Sequence, residues 1–141
     1  MLKNIPKVIS PDLMKVLMEM GHGDEIVIVD GNFPAYSMGI KTLRIDGVDT
    51  PELVKNILKF FPLDQFSDFN VFFMKPENGD EPEIWQKYYE VLNNSEEKER
   101  AKVDFIPRHQ FYERAKKGFA VVSTSDTSLY ACLILKKGVC G

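Results

Sequence analysis

Apolar positions recur along the chain with two periods, and the alternation between them lays out the elements. In "SPDLMKVLMEMG", Leu13, Val16, Leu17 and Met20 fall at helical spacing. Ser10 is the expected N-cap, Pro11 takes the first helical position, and Gly21 is the expected left-handed stop. "EIVIVD" then turns nearly continuously apolar, which predicts a strand buried on both faces. "TLRID" predicts a short strand. "TPELVKNILKFFP" predicts a second helix, capped by Thr50 and started by Pro51, with Leu53, Ile57, Leu58 and Phe61 on one face. "FNVFFM" reads as another buried strand, and "EPEIWQKYYEVLNN" as a helix carrying Trp85, Tyr88, Tyr89 and Leu92. The charge run "SEEKERAK" is read as a solvated helix end or loop. "RHQFYERAKK" predicts a helix, and "FAVVST" and "YACLILKKG" predict two closing strands.

Strands and helices alternate over the whole length without a linker, repeat or low-complexity segment. The expectation is one α/β domain over residues 1–141, with strands and helices in a layered sheet. In open α/β sheets ligands gather at the carboxyl ends of strands, and Asp30 ends the first strand.

Composition narrows the function classes. The chain has 44% hydrophobic and 28% charged residues, an ordinary globular balance. A net charge of -3 without a basic stripe argues against a nucleic-acid partner. No apolar run reaches the ~20 residues a bilayer crossing needs. "MLKNIPKVIS" has no apolar core of a secretory signal. Cys132 and Cys140 fit no C-x-x-C pattern and imply no disulfide framework, so a cytoplasmic protein with free thiols is expected.

Motif searches leave one segment. No G-x-G-x-x-G, P-loop or G-x-S-x-G stretch occurs. His22 and His109 are too far apart for a helical zinc pair, and no metal is expected. Cys132, read as lying mid-strand, fits a small core residue better than a nucleophile. In "EMGHGDEIVIVDGNFPA", His22 follows a helix end, where the partial negative charge favours a protonated imidazole able to donate. Asp24 can hold the ring's tautomer, Asp30 stands at the strand's far end, and Phe33 and Pro34 can wall a pocket. From these residues alone the segment is either an acid–base site or a surface turn.

At this point the chain resembles the L-fucose mutarotase and D-ribose pyranase family. "ISPDLMKVLMEMGHGDEIVIVDGNFPA" is similar to the family's opening block, "RHQFYERAKKGFAVVSTSD" to a second, and "SLYACLILKKGV" to the closing one. The Phe-Tyr-Glu-Arg-Ala run is typical of the fucose branch. The resemblance implies an α/β fold and an enzyme that interconverts the α and β anomers of a free monosaccharide. It also implies a ring-like homo-oligomer with sites near subunit contacts. By position, His22 would be the catalytic proton donor. Asp30 and Arg108 would bind the sugar, and Tyr130, Ala131 and Cys132 would line its pocket; His109 matches no catalytic position. Asn32 stands where the fucose branch usually has His, and Cys132 where both branches usually have Asn.

Anomer exchange suits such residues. A base takes the anomeric hydroxyl proton, an acid protonates the ring oxygen, and the opened ring closes on its other face, with no cofactor required. The expectation is that the helix end supplies the acid, the strand end supplies the clamp, and the fold brings further groups up to them. Two other readings stay open: a ribose pyranase-like activity, and a non-catalytic sugar-binding or assembly protein that has kept the fold.

Overall fold

The computed structural model describes residues 1–141. In chain order the elements are α1 (Pro11–Glu19), β1 (Glu25–Val29), a 3-10 turn (Ala35–Met38), β2 (Lys41–Ile45), α2 (Thr50–Ile57) and β3 (Val71–Lys75). α3 (Ile84–Asn93), β4 (Val103–Pro107), α4 (Arg108–Ala115), β5 (Ala120–Thr124) and β6 (Leu133–Lys136) follow. They form one six-stranded sheet in the order β2-β5-β1-β6-β3-β4. β6 runs antiparallel to both its neighbours, and every other pairing is parallel. Five strands therefore point the same way, and their carboxyl ends share one edge.

Alternation within each strand explains why the central ones read as unbroken apolar runs. Ile26 and Ile28 of β1, Val122 of β5, Leu133 and Leu135 of β6 and Phe73 of β3 pack with α1, α2 and α3 in the larger core. Their neighbours Val27, Val29, Val121, Ile134 and Phe72 face the other way, toward α4 and the 3-10 turn. Successive side chains point to opposite faces, and here both faces are covered. Phe73 is wholly buried, and its ring packs 5.3–5.9 Å, centroid to centroid, from Trp85, Tyr88, Tyr89 and Phe105. On the second face Arg114 lies over the Phe72 ring at 3.7 Å and donates from Nε to both carboxylate oxygens of Glu25. That pairing fastens α4 to the start of β1.

Local chemistry sets the element ends, in places differently from expectation. Ser10 Oγ accepts the Leu13 N–H at 3.1 Å, as its position predicts. α1 stops at Met20 in an extended conformation, and the left-handed glycine is Gly23 (φ 88°), so Gly21 is not the stop. Asp49, and not Thr50, caps α2 by accepting the Glu52 N–H at 3.0 Å. The last strand begins at Leu133, which puts Cys132 just before it and not at its middle. β4 was not expected; it is a half-exposed edge strand.

Phe73→Ala is expected to lower stability by about 3–5 kcal/mol, because it opens a cavity among four rings. Phe105→Ala, at a half-open position, should cost clearly less. Urea unfolding of both variants checks the order; equal losses would contradict this core.

Candidate active site

The carboxyl edge gathers most of the residues singled out in the sequence. Asp30, directly after β1, is 8% exposed. Its Oδ1 accepts the Asn32 backbone N–H at 2.9 Å, and its Oδ2 accepts the Cys132 thiol at 3.3 Å. Each carboxylate oxygen keeps a lone pair, so Asp30 can still accept from two hydroxyls. Burial, and then the charge of Asp30, push the Cys132 thiol well above its ordinary value, so it stays protonated and donates. Cys132 belongs to the core by burial and to the site by its bond.

The segment before β6 brings up two more residues. Tyr130 adopts a left-handed φ of 59°, which is rare for a side chain of its size. It stays half-buried, while Ala131 behind it is fully buried in the larger core. Ala131 therefore meets the edge through its backbone only. Arg108 opens α4 at the end of β4 and reaches Glu77 at 3.5 Å, both side chains being exposed. It stands three strands along the edge from Asp30, roughly 14 Å by strand spacing. A polar cleft of about 570 Å³ opens beside Tyr130, between the residues after β3 and those before β6. His109 is exposed.

His22 lies at the opposite edge. Its Nε2 is 3.0 Å from Asp64 Oδ1. Asp64 is buried, with a side chain only 3% exposed. The Phe66 N–H and the Ser67 hydroxyl also donate to it. Lys136, at the end of β6, donates to Ser67 Oγ at 2.8 Å and stands 3.9 Å from Asp64 Oδ2. Burial alone would raise the Asp64 pKa, but the bonds from Ser67, Phe66 and His22 outweigh it and hold the carboxyl below its ordinary 3.8. An ionised carboxylate only accepts, so the proton of the contact sits on Nε2 and Nδ1 is left free to take or give one. The His22 side chain is 47% exposed, with the Phe66 ring edge-on at 5.5 Å.

Of the two roles open to Asp24, holding the ring's tautomer or forming the turn, the structure shows the second. Its Oδ2 accepts the Gly21 N–H at 2.7 Å, which makes it the turn former. Asp64 was missed because it lies 42 residues from His22 and no period links them. Its only local signal is the "DQFS" run, where a carboxylate can fold back on the N–H two residues on. Gly138 lets this corner close: a Cβ there would come 2.5 Å from the Leu63 carbonyl oxygen and 2.8 Å from Asp64 Cα.

β1 is five residues long, so about 16 Å of strand separates the two edges. One chain thus brings Asp30, Arg108, Tyr130 and Cys132 to one edge and leaves His22 with Asp64 at the other. Within a single chain, Arg108, Tyr130 and Cys132 stand on the Asp30 edge and do not reach His22. No group of three or more His, Cys, Asp or Glu side chains gathers in a metal-holding arrangement.

A model of the RbsD / FucU transport protein family matches residues 3–140. The chain belongs to the RbsD/FucU family. It is 47% identical to the fucose mutarotase of Danio rerio, over 98% of this chain and 94% of that one. It is 40% identical to the L-fucose mutarotase of Histophilus somni, over 99% and 97%. Its fold is similar to the crystal structure of the Streptococcus pneumoniae fucose mutarotase in complex with L-fucose. The TM-score is 0.93 at 49% identity, covering 99% of this chain and 100% of that one. Within the RbsD/FucU family, then, this chain is similar over its full length to fucose mutarotases.

Two outcomes follow from the buried groups. Because the folded pKa of Asp64 is depressed, its stabilisation is present above its unfolded value and lost as pH falls through the folded one. Asp64→Asn should be less stable than wild type at neutral pH by about 1–3 kcal/mol, with a gap that narrows below about pH 4. Urea midpoints from neutral pH down to about pH 3 measure this, and a gap that widens toward acid would contradict an ionised Asp64. Iodoacetamide should modify Cys140 in the native protein and spare Cys132 until denaturant is added. Equal native rates would contradict the buried, protonated thiol.

Proposed function

We propose that this protein is an L-fucose mutarotase, an isomerase that interconverts the α and β anomers of the free sugar. The observation that carries the reading is the full-length similarity to the Streptococcus pneumoniae enzyme bound to L-fucose. His22 serves as the proton donor to the ring oxygen. As the C1–O bond to that oxygen breaks, a solvent water molecule acting as base takes the proton of the anomeric hydroxyl, and an open-chain aldehyde forms. The aldehyde end rotates, and the reverse transfers close the ring on its other face. Protons and electrons balance with no cofactor. Acid–base help of about 10²–10⁴-fold matters for a reaction that already runs in water.

Asp30 accepts two sugar hydroxyls on its free lone pairs and fixes the ring. Arg108 offers a fork of donors to neighbouring hydroxyls, and Tyr130 offers its ring or its hydroxyl. Two chains complete each site: the His22 edge of one meets the Asp30 edge of the next. Exposed apolar side chains support this contact, Phe66 (71% exposed) beside His22 and Leu129 (77% exposed) beside Tyr130. A head-to-tail contact whose rotation closes gives a ring, and a ring-like homo-oligomer is the assembly this reading implies. Two unpaired thiols suit a cytoplasmic setting.

His22→Ala and Asp30→Asn should each remove most catalysed exchange, read by saturation-transfer NMR on L-fucose, while circular dichroism stays that of wild type. Co-assembling the two inactive variants in equal amounts should restore roughly a quarter of wild-type exchange, the share of contacts with an intact His22 facing an intact Asp30. No recovery in a verified mixed oligomer would refute the shared site. Wild-type exchange in a folded His22→Ala protein would refute the donor.

A further inference from the structure

Asp126 lies behind the carboxyl edge, two residues past β5, and is 7% exposed. Its bonds reach into three other segments. Its Oδ2 accepts both the N–H and the hydroxyl of Thr50, each at 2.8 Å, at the start of α2. Its Oδ1 accepts the Ser128 N–H at 2.8 Å, on the path to Tyr130. Its carbonyl oxygen accepts the Gly31 N–H at 2.8 Å, next to Asp30. Thr50 Oγ1 also lies 2.7 Å from the Tyr88 hydroxyl on α3. Asp126, Thr50 and Tyr88 are all buried, so the bonds through the Thr50 hydroxyl are shielded from solvent.

The direction of the chain of bonds follows from the charge at its end. Burial would raise the Asp126 pKa, but the bonds from Thr50 and Ser128 outweigh it and keep the carboxyl ionised. A carboxylate only accepts, so the one Thr50 hydroxyl proton points at Asp126. The Tyr88 hydroxyl must then donate to Thr50. Burial holds the Tyr88 phenol well up, consistent with a neutral donor. The array is fully satisfied and has one orientation, which gives it rigidity.

We propose that Asp126 is a positioning residue for the sugar clamp, holding the Asp30 loop and the Ser128–Cys132 segment in register against α2 and α3. It touches no sugar itself. Asp30 must present its two free lone pairs while Cys132 holds its Oδ2, and these two residues are 102 positions apart in sequence. Asp126 fixes the loops that carry both. The proposal rests on the mutarotase reading for the identity of the sugar.

Wild type and Asp126→Asn are compared by two measurements. The first is the dependence of L-fucose exchange on sugar concentration, which separates the half-saturating concentration from the limiting rate. The second is amide hydrogen exchange at Gly31 and Ser128. The expected result is a half-saturating concentration raised about tenfold, the worth of one charge-assisted hydrogen bond. The limiting rate should keep its pH profile and stay within about threefold, because His22 sits at the other edge. Both amides should exchange at least about tenfold faster. Unchanged half-saturation in the folded variant overturns the proposal, as does a drop confined to the limiting rate. If Asp126→Asn does not fold, Thr50→Val decides, since it keeps the Thr50 N–H bond and loses the hydroxyl link; wild-type half-saturation in folded Thr50→Val overturns the proposal. A wild-type protein without catalysed exchange would refute the mutarotase reading instead, and amide exchange with L-fucose titrated by NMR would still decide whether Asp126 holds the two loops.

Discussion

The hydrogen-bond ladder around β1 is the constraint on which the rest depends. β1 pairs with β5 on one side and β6 on the other, and all but its first residue are buried. Bending it would leave backbone groups unpaired in the core, at a cost of about 1–3 kcal/mol each. The separation between His22 and Asp30 is therefore a fixed length, not a conformational variable. No side-chain rotation closes a gap of about 16 Å. On the proposed reading, a lone chain with this sheet would hold a sugar at one edge and its proton donor at the other, and assembly would bring the two together.

Each edge carries a buried carboxylate wired in the same manner. Asp64 accepts from the Phe66 N–H, the Ser67 hydroxyl and His22; Asp126 accepts from the Thr50 and Ser128 N–H groups and the Thr50 hydroxyl. In both, burial disfavours the charge and several short donors more than offset it. An ionised, fully bonded carboxylate is stiff because each donor holds it from a different direction. The two differ in what they hold. Asp64 orients a ring that is half open to solvent, and Asp126 orients backbone.

The elements were legible in the sequence wherever one residue type has one local consequence. Ser10 caps α1 as its position predicts, and the unbroken "EIVIV" run is a strand covered on both faces. The reading slipped where two neighbours compete for one role. Asp49 takes the cap next to Thr50, and Gly23 takes the left-handed turn two residues after Gly21. β4 escaped notice because an edge strand shows half its side chains to water and lacks a buried pattern. The partners of His22 and Asp30 were illegible for a deeper reason. Asp64 and Cys132 reach them across 42 and 102 residues, and nothing local in the sequence encodes which strands pair. Chain order placed His22 and Asp30 close together, and strand geometry set them apart.

Asn32 and Cys132, the two positions where the sequence departs from the pattern it resembles, both bear on the same carboxylate. Asn32 reaches Asp30 through its backbone, so its exposed side chain is free to vary without disturbing that bond. Cys132 reaches Oδ2 through a thiol, a weaker donor than an amide. A weak donor leaves more of the carboxylate's charge available to a ligand hydroxyl, and burial keeps the thiol protonated so that it never adds a second negative charge there. On the proposed reading, a change at Cys132 would therefore retune how Asp30 grips hydroxyls while His22 and Asp64 keep their own geometry. The ladder that separates the edges is what would make this possible: on the proposed reading, hydroxyl recognition and proton transfer sit on different surfaces of one rigid sheet, so one could vary without the other.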